Sequence, residues 1–388
     1  MELFFWVCIA VIIYTYLGYG LVLYIILKIK ALIFGKKTPI PIGYTPTVTV
    51  VVAAYNEAYC IEEKIINTLA LNYPKDKINF IFITDGSTDN TPNIVAKYPS
   101  ILGMHEPGRS GKIAAVHRAM SKVQTEIVVF TDANTMLNSD AILLMCRHYK
   151  DEKVGAIAGE KRVQITETSD ATAGEGFYWK YESKLKKWDS ELYSVVGAAG
   201  ELFSIRTALY EPVAPDTILD DFMISMNIAL KGYKIIYEPE AYASELASAN
   251  TGEELKRKIR IAAGGVQSTI RLKSLLLPFK QPILSFEFIS HRILRWVVTP
   301  YMMIIAFIIN IWLVSDNGLN NIYGMMLLGQ LFFYSAALMG WIMEQRQLKI
   351  KIFFIPYYFC LMNYAVIAGF VRYFFTKQSV LWEKAKRK

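Results

Sequence analysis

The stretch "TVTVVVAAYNE", Thr47 to Glu57, decides how the middle of the chain folds. Its unbroken β-branched run predicts a strand buried on both faces, closed by the polar pair Asn56-Glu57. A helix follows, with Ile61, Ile65 and Leu69 on one stripe. "INFIFIT" (Ile78 to Thr84) is a second strand ending in "DGSTDNT", where Ser87 or Thr88 can cap a helix reaching about Lys97. A weaker third strand surrounds Leu102. "GKIAAVHRAMSKV" then reads as a helix, and "EIVVFT" as the next strand, which runs into Asp132 and Asn134. Alternating strands and helices predict a mostly parallel sheet covered by helices. In such sheets ligands bind outside the carboxyl ends of the strands. Asn56-Glu57, Asp85 to Asp89 and Asp132 with Asn134 all fall at that edge. Turn chemistry accounts for one such pair, whereas three at one edge argue for a site.

Working outward, the flanks are apolar. The chain has 388 residues and is 53% hydrophobic, with the excess concentrated at its two ends. Met1 to Ile29 is long enough to cross a bilayer. It has neither a basic start nor a small-residue cleavage site, so it reads as a retained anchor. Trp296 to Val314, Ile322 to Met343 and Ile352 to Phe375 are three further candidate spans. The expected organisation is a transmembrane helix over 1–30, a globular domain over 45–275, an interfacial connector over 276–295, a membrane region over 296–376 and a basic tail over 377–388.

The flanks "KIKALIFGKK" and "EQRQLKIK" are basic and the loop "SDNGLNN" is not, which places the globular domain in the cytoplasm. Four full crossings would then put the tail "WEKAKRK" outside, against the same rule. Either the last span, with Pro356 and Asn363, stops short, or the rule fails there. The net charge of +8 clusters beside the apolar spans, which fits a surface facing membrane lipids and not a nucleic acid. Four cysteines without paired spacing suggest neither a disulfide framework nor a zinc site.

Asp85, Asp89, Asp132 and Asn134 are hard oxygen donors, the chemistry of Mg²⁺ or Mn²⁺ bound together with substrate phosphates. No P-loop lysine motif and no G-x-G-x-x-G fingerprint is present. A nucleotide-sugar diphosphate therefore fits better than ATP or a dinucleotide. Lys112, after a Gly-rich turn at a helix start, suits either a phosphate or plain solvent. Asp220 and Asp221 precede an amphipathic helix, where the helix dipole alone favours acids. In an enzyme that moves a sugar to a hydroxyl, one such carboxylate accepts the hydroxyl proton.

The series "VVAAYNE", "FITDGSTDNT", "GRSGKIAAVH", "VVFTDAN", "VVGAAGELFSIR" and "ILDDF…LKGYKIIYEPEA" resembles the family 2 membrane glycosyltransferases, which include the cellulose, hyaluronan and poly-N-acetylglucosamine synthases. The resemblance covers roughly Thr47 to Gln267, and the membrane spans on either side also fit. It implies a GT-A-type, Rossmann-like α/β domain set between an N-terminal transmembrane helix and a C-terminal bundle. It further implies a UDP-sugar donor, Mg²⁺ or Mn²⁺, inversion at the anomeric centre, and a polysaccharide, oligosaccharide or lipid-linked acceptor. Accessory or export subunits fit the same picture, as does a bacterial cytoplasmic membrane.

Carried onto this chain, the resemblance makes Asn56, Glu57 and Asp85 nucleotide-sugar contacts, with Asp85 at the base or ribose. It brings Lys112 to the nucleotide or diphosphate and makes Asp132 a metal ligand. Asp221 becomes the catalytic base, with Asp220 beside it. Gly197, Gly200 and Glu201 become the loop beneath the donor sugar and acceptor. The chain departs from the family in two places. Asn134 stands where a second acid usually closes the metal motif. The Gln-x-x-Arg-Trp motif of the processive members becomes "RKIRI", with Arg257 and Ile261 at its ends and Arg260 kept. Ile261 lacks the flat ring that packs on an acceptor sugar. Arg257 and Arg260 remain readable either as a diphosphate clamp or as part of a basic interfacial helix.

Overall fold

The computed structural model describes residues 1–35, 40–164, 172–246, 251–346, 348 and 350–376. The tail read from the sequence, 377–388, lies outside the described residues. The chain opens with α1 (Glu2–Ile13), a π-helical turn over Tyr14–Gly18, and α2 (Tyr19–Phe34). Then come β1 (Val48–Ala54), α3 (Ile61–Leu69), β2 (Ile78–Asp85), α4 (Thr91–Ala96), β3 (Leu102–Glu106), α5 (Lys112–Met120) and β4 (Ile127–Asp132). The order continues with β5 (Met136–Leu137), α6 (Ala141–Cys146), β6 (Val154–Gln164), α7 (Thr172–Leu192), β7 (Leu202–Arg206), α8 (Asp220–Leu230) and β8 (Lys234–Leu246). The remainder is α9 (Thr251–Arg271), α10 (Pro282–Phe288), a π-helical stretch Ile289–Val298, α11 (Thr299–Asn317), α12 (Ile322–Gln345) and α13 (Lys351–Phe375).

The chain divides into two compact units. One holds the described residues within 29–164 and 186–249, the other those within 1–28, 165–185 and 250–377. The first is built on an eight-stranded sheet of order β3-β2-β1-β4-β7-β6-β8-β5. The strands read from the sequence pair in parallel, β3 with β2, β2 with β1, and β1 with β4. Val48, Val50 and Val52 on one face and Thr49 and Val51 on the other are buried, which accounts for the β-branched run: a central parallel strand packs on both faces. Each such valine contributes about 1.5–3 kcal/mol by burial.

Beyond β4 the sheet is mixed, not parallel. β7 runs antiparallel to both β4 and β6, while β6 and β8 are again parallel. The long excursion through β6 and α7 returns the chain to β4 from the opposite direction. The helix after β2 also differs from the expectation. It starts at Thr91 behind Asn90 with Pro92 in its first turn, and the Asn90 side chain makes no cap bond. Ser87 and Thr88 are engaged with Asn56 instead.

The second unit is helical. Four runs, Glu2–Phe34, Pro282–Asn317, Ile322–Gln345 and Ile352–Phe375, are long and apolar enough to cross a membrane, the profile of an integral membrane protein. Phe5 and Cys8 of α1 pack on Ala306, Ile309 and Leu313 of α11. Small residues bring other helices close. A Cβ on Gly369 of α13 would lie 2.5 Å from the Ala262 side chain of α9. The segment read as a connector is helical from Pro282 and runs on into α11. α13 stays helical through Pro356. Within this unit Glu182 of α7 is buried, with Arg295 at 2.6 Å and Arg292 and His291 each at 3.1 Å, all three from the π-helical stretch. Burial raises the Glu182 carboxyl, but these charges outweigh it and hold the group well below the usual range.

Candidate active site

Strand register builds the site. Ala54 pairs with Thr84, and Ala53 with Asp132, so the carboxyl ends of β1, β2 and β4 lie level. Asp85 and Asp132 therefore sit on one edge, separated only by the end of β1. The antiparallel pairing of β7 then sets Leu202 beside Thr131. This carries the preceding loop, Gly197 to Glu201, against the Asp132 turn.

Asp85 is almost fully engaged by its own chain. Its Oδ2 accepts from the Ser110 and Gly111 amides at 2.9 and 2.6 Å, and its Oδ1 meets Arg118 at 2.6 Å. Gly111, at φ +95°, supplies the left-handed turn that aims these amides before α5 begins. Arg109 lies over the Tyr55 ring at 3.9 Å. Asn56, at φ +53°, accepts from the Thr88 amide at 2.8 Å and so ties the β1 loop to the β2 loop. Glu57 is buried, and its amide donates to Thr91 at 2.9 Å. Asp89, grouped with the oxygen donors in the sequence reading, is turned to backbone work. It accepts from the amides of Ala58 and Thr91, each at 3.0 Å.

Lys112 opens α5 and its ammonium meets Asp132 at 2.8 Å. Burial lowers this ammonium, but Asp132, Asp220 and Asp221 together outweigh burial and raise it above its ordinary value. Asp220 and Asp221 are the first two residues of α8, not the residues before it. A Cβ on Gly200 would lie 3.1 Å from Asp221 Oδ2 and 3.2 Å from Lys112 Nζ, so the bare glycine lets both groups close on one spot. The Asp221 Oδ1 accepts from the Phe222 amide at 2.8 Å. Burial pushes the Asp221 carboxyl up to about 7, and Asp220 pushes the same way against Lys112. A carboxyl poised near neutrality beside a cation is suited to taking up a proton.

The loop beneath has its own supports. Gly197 sits at φ +82°, and a Cβ there would lie 2.1 Å from Phe222 Cδ2. The Ala198 amide donates to Ser225 at 2.9 Å. Glu201 meets the buried Lys161 at 2.7 Å, and Lys161 also pairs with Glu245.

The sheet unit thus brings together Asn56, Glu57, Asp85, Lys112, Asp132, Asn134, Gly197, Gly200, Glu201, Asp220 and Asp221. Arg257 and Arg260 lie on α9 in the helical unit, where Arg257 is 3.4 Å from Glu254. Lys64, Arg118 and Lys161 were not read from the sequence. Lys64 carried a visible signal, since it falls on the buried stripe of α3 with Ile61, Ile65 and Thr68. Arg118 and Lys161 had no local signal, because their partners come from distant strands and turns.

Hard oxygens and a lysine at a parallel sheet edge suit a diphosphate with a divalent cation. Among the described residues no group of three or more His, Cys, Asp or Glu side chains gathers to hold a metal. A cation at this edge would have to take most of its ligands from substrate oxygens.

Residues 49–213 match the family model "Glycosyl transferase family 2". The match ends just before Asp220. A poly-β-1,6-N-acetyl-D-glucosamine synthase of Staphylococcus aureus (strain COL) is 29% identical over 283 residues, 69% of this chain and 67% of that protein. Its counterpart in Staphylococcus epidermidis is 28% identical over 282 residues, 68% of this chain and 66% of that protein. Among solved structures, a mannosyltransferase of Pyrobaculum calidifontis, in complex with GDP-Man and Mn²⁺, has the same fold. It superposes with a TM-score of 0.72 at 24% identity, over 97% of this chain and 100% of that one.

Proposed function

We propose that this glycosyltransferase, whose residues 49–213 match the family 2 model, moves a sugar, with inversion, from a UDP-sugar to a hydroxyl of a polysaccharide or oligosaccharide. The sheet unit lies in the cytoplasm on this reading, at a bacterial cytoplasmic membrane crossed by the helical unit. The observation that carries the proposal is Asp221: a carboxyl raised to about 7, closing with Lys112 on Gly200.

Asp221 takes the proton from the acceptor hydroxyl. The hydroxyl oxygen bonds to the anomeric carbon from the face opposite the nucleotide, and the bond from that carbon to the diphosphate oxygen breaks. UDP leaves with the bonding pair. Lys112 transfers its charge from Asp132 to the leaving diphosphate. Asp132 and Asn134 would hold Mg²⁺ or Mn²⁺, which neutralises the charge developing on UDP when bound. Asp85 orients the base or ribose, and Gly197 to Glu201 floor the pocket.

The poly-N-acetylglucosamine synthases among the relatives favour chain growth. Ile261, where processive members place a tryptophan, favours single addition to a lipid-linked acceptor. Protein reconstituted in lipid, given a panel of labelled nucleotide sugars, separates the two by product length. Transfer from a UDP-sugar that is lost in Asp221→Asn supports the reading. Undiminished transfer by Asp221→Asn removes Asp221 as the base.

A further inference from the structure

Lys64 is fully buried on α3 and points under the Asp132 turn. Its ammonium donates to Thr131 Oγ1 at 2.9 Å and to the Thr135 carbonyl at 2.7 Å. Those two residues bracket Asp132, Ala133 and Asn134, so one ammonium closes the turn from behind. The same Thr131 hydroxyl donates to the Glu201 carbonyl at 2.9 Å. Thr135 in turn donates to the Asp132 carbonyl at 3.0 Å. Among the described residues no carboxylate lies within ion-pair distance of Lys64. Burial pushes the ammonium down to about 7, against the pull of Asp132.

A buried ammonium held only by neutral oxygens is a poor choice for stability, since desolvation is opposed by no direct counter-charge. A methionine of similar length would pack there without that penalty. The sequence nevertheless puts a lysine on an otherwise apolar and threonine-lined stripe.

We propose that Lys64 is a positioning residue for sugar transfer, which fastens the Asp132–Asn134 turn to the Gly197–Glu201 loop through Thr131. Its ammonium and the Thr131 hydroxyl form a relay, Lys64 to Thr131 to the Glu201 carbonyl. Each bond in such a relay polarises the next. The relay sets the spacing between the side chain that would hold the cation and the loop that floors the sugar pocket. Lys64 touches no substrate and acts through these two loops. This rests on the sugar-transfer reading above.

The test uses the full-length protein in lipid nanodiscs with Lys64→Met, Thr131→Val and the double variant. Readouts are thermal unfolding, Mn²⁺-dependent UDP binding by calorimetry, and kcat/KM for the donor that the parent turns over. Lys64→Met is expected to unfold at or above the parent temperature while binding of Mn²⁺ with UDP, and kcat/KM, fall about 10- to 100-fold, as for lost support behind a metal ligand. Thr131→Val is expected to fall likewise, and the double variant to fall no further, because both break one relay. A stable Lys64→Met with parental binding and turnover overturns the proposal. Should Lys64→Met fail to fold, Thr131→Val decides: a tenfold loss upholds the relay and parental values overturn it. A parent that neither binds UDP with Mn²⁺ nor transfers sugar instead refutes the functional reading itself.

Discussion

The acid limb of the pH profile follows from the Asp220–Asp221 pair. Asp221 moves from an ordinary 3.8 to about 7, first by burial and then by the adjacent Asp220. A base acts only when ionised, so activity is present above that value and lost as pH falls through it. The profile of kcat/KM, which reports the free enzyme, should bend near pH 7. One unit below the midpoint about a tenth of the carboxylates are ionised, so kcat/KM should drop about tenfold, and about a hundredfold two units below.

Asp220→Asn removes the largest upward push after burial, leaving the smaller one from Glu201 and the opposing Lys112 in place. The midpoint should therefore move to lower pH, whatever happens to the plateau. Asp221→Asn should abolish the limb with the activity. Initial rates with a limiting UDP-sugar, from pH 5 to 9 at constant ionic strength, measure all three proteins. A wild-type midpoint below 5, or one that stays put in Asp220→Asn, refutes the assignment of the limb to this pair.

Arg118→Ala leaves Asp85, whose side chain is 6% exposed, with only its two amide donors. A loss of about 2 kcal/mol is expected, read as a lower unfolding temperature together with a higher donor KM. Gly197→Ala puts a Cβ into Phe222 at a backbone angle that alanine rarely adopts. Loss of more than about 2 kcal/mol is expected, checked by thermal unfolding, with turnover falling because Phe222 follows Asp221 in α8. Excess chelator should stop transfer in the wild type, and Mn²⁺ or Mg²⁺ should restore it. Full activity in chelator would remove the cation from the proposal.

The features legible in the sequence were those that depend on near neighbours. The β-branched run from Val48 and the apolar stripe of α3 follow from periods of two and 3.6 residues, which the chain carries locally. The membrane spans follow from length and composition, and the parallel strands of the first half from their alternation with helices. The order of polar motifs groups Asp85, Asp132 and Asp221 at one candidate site.

Pairings between distant segments were not legible. Nothing near Leu202 announces that β7 runs antiparallel to β4, yet that pairing alone lays Gly197 to Glu201 against Asp132. Lys161 finds Glu201 and Glu245 only once β6, β7 and β8 are assembled. The same holds for Asp89, which looked like a cation ligand and instead accepts from backbone amides. Lys64 shows the boundary between the two. Its place on a buried stripe was written in the helical period, but its partners, some seventy residues away, were chosen by the packing of α3 against the end of β4. Periodicity determines which face of an element is buried; only the closed fold determines what that face meets, because hydrogen-bond partners are set by distance in space and not along the chain.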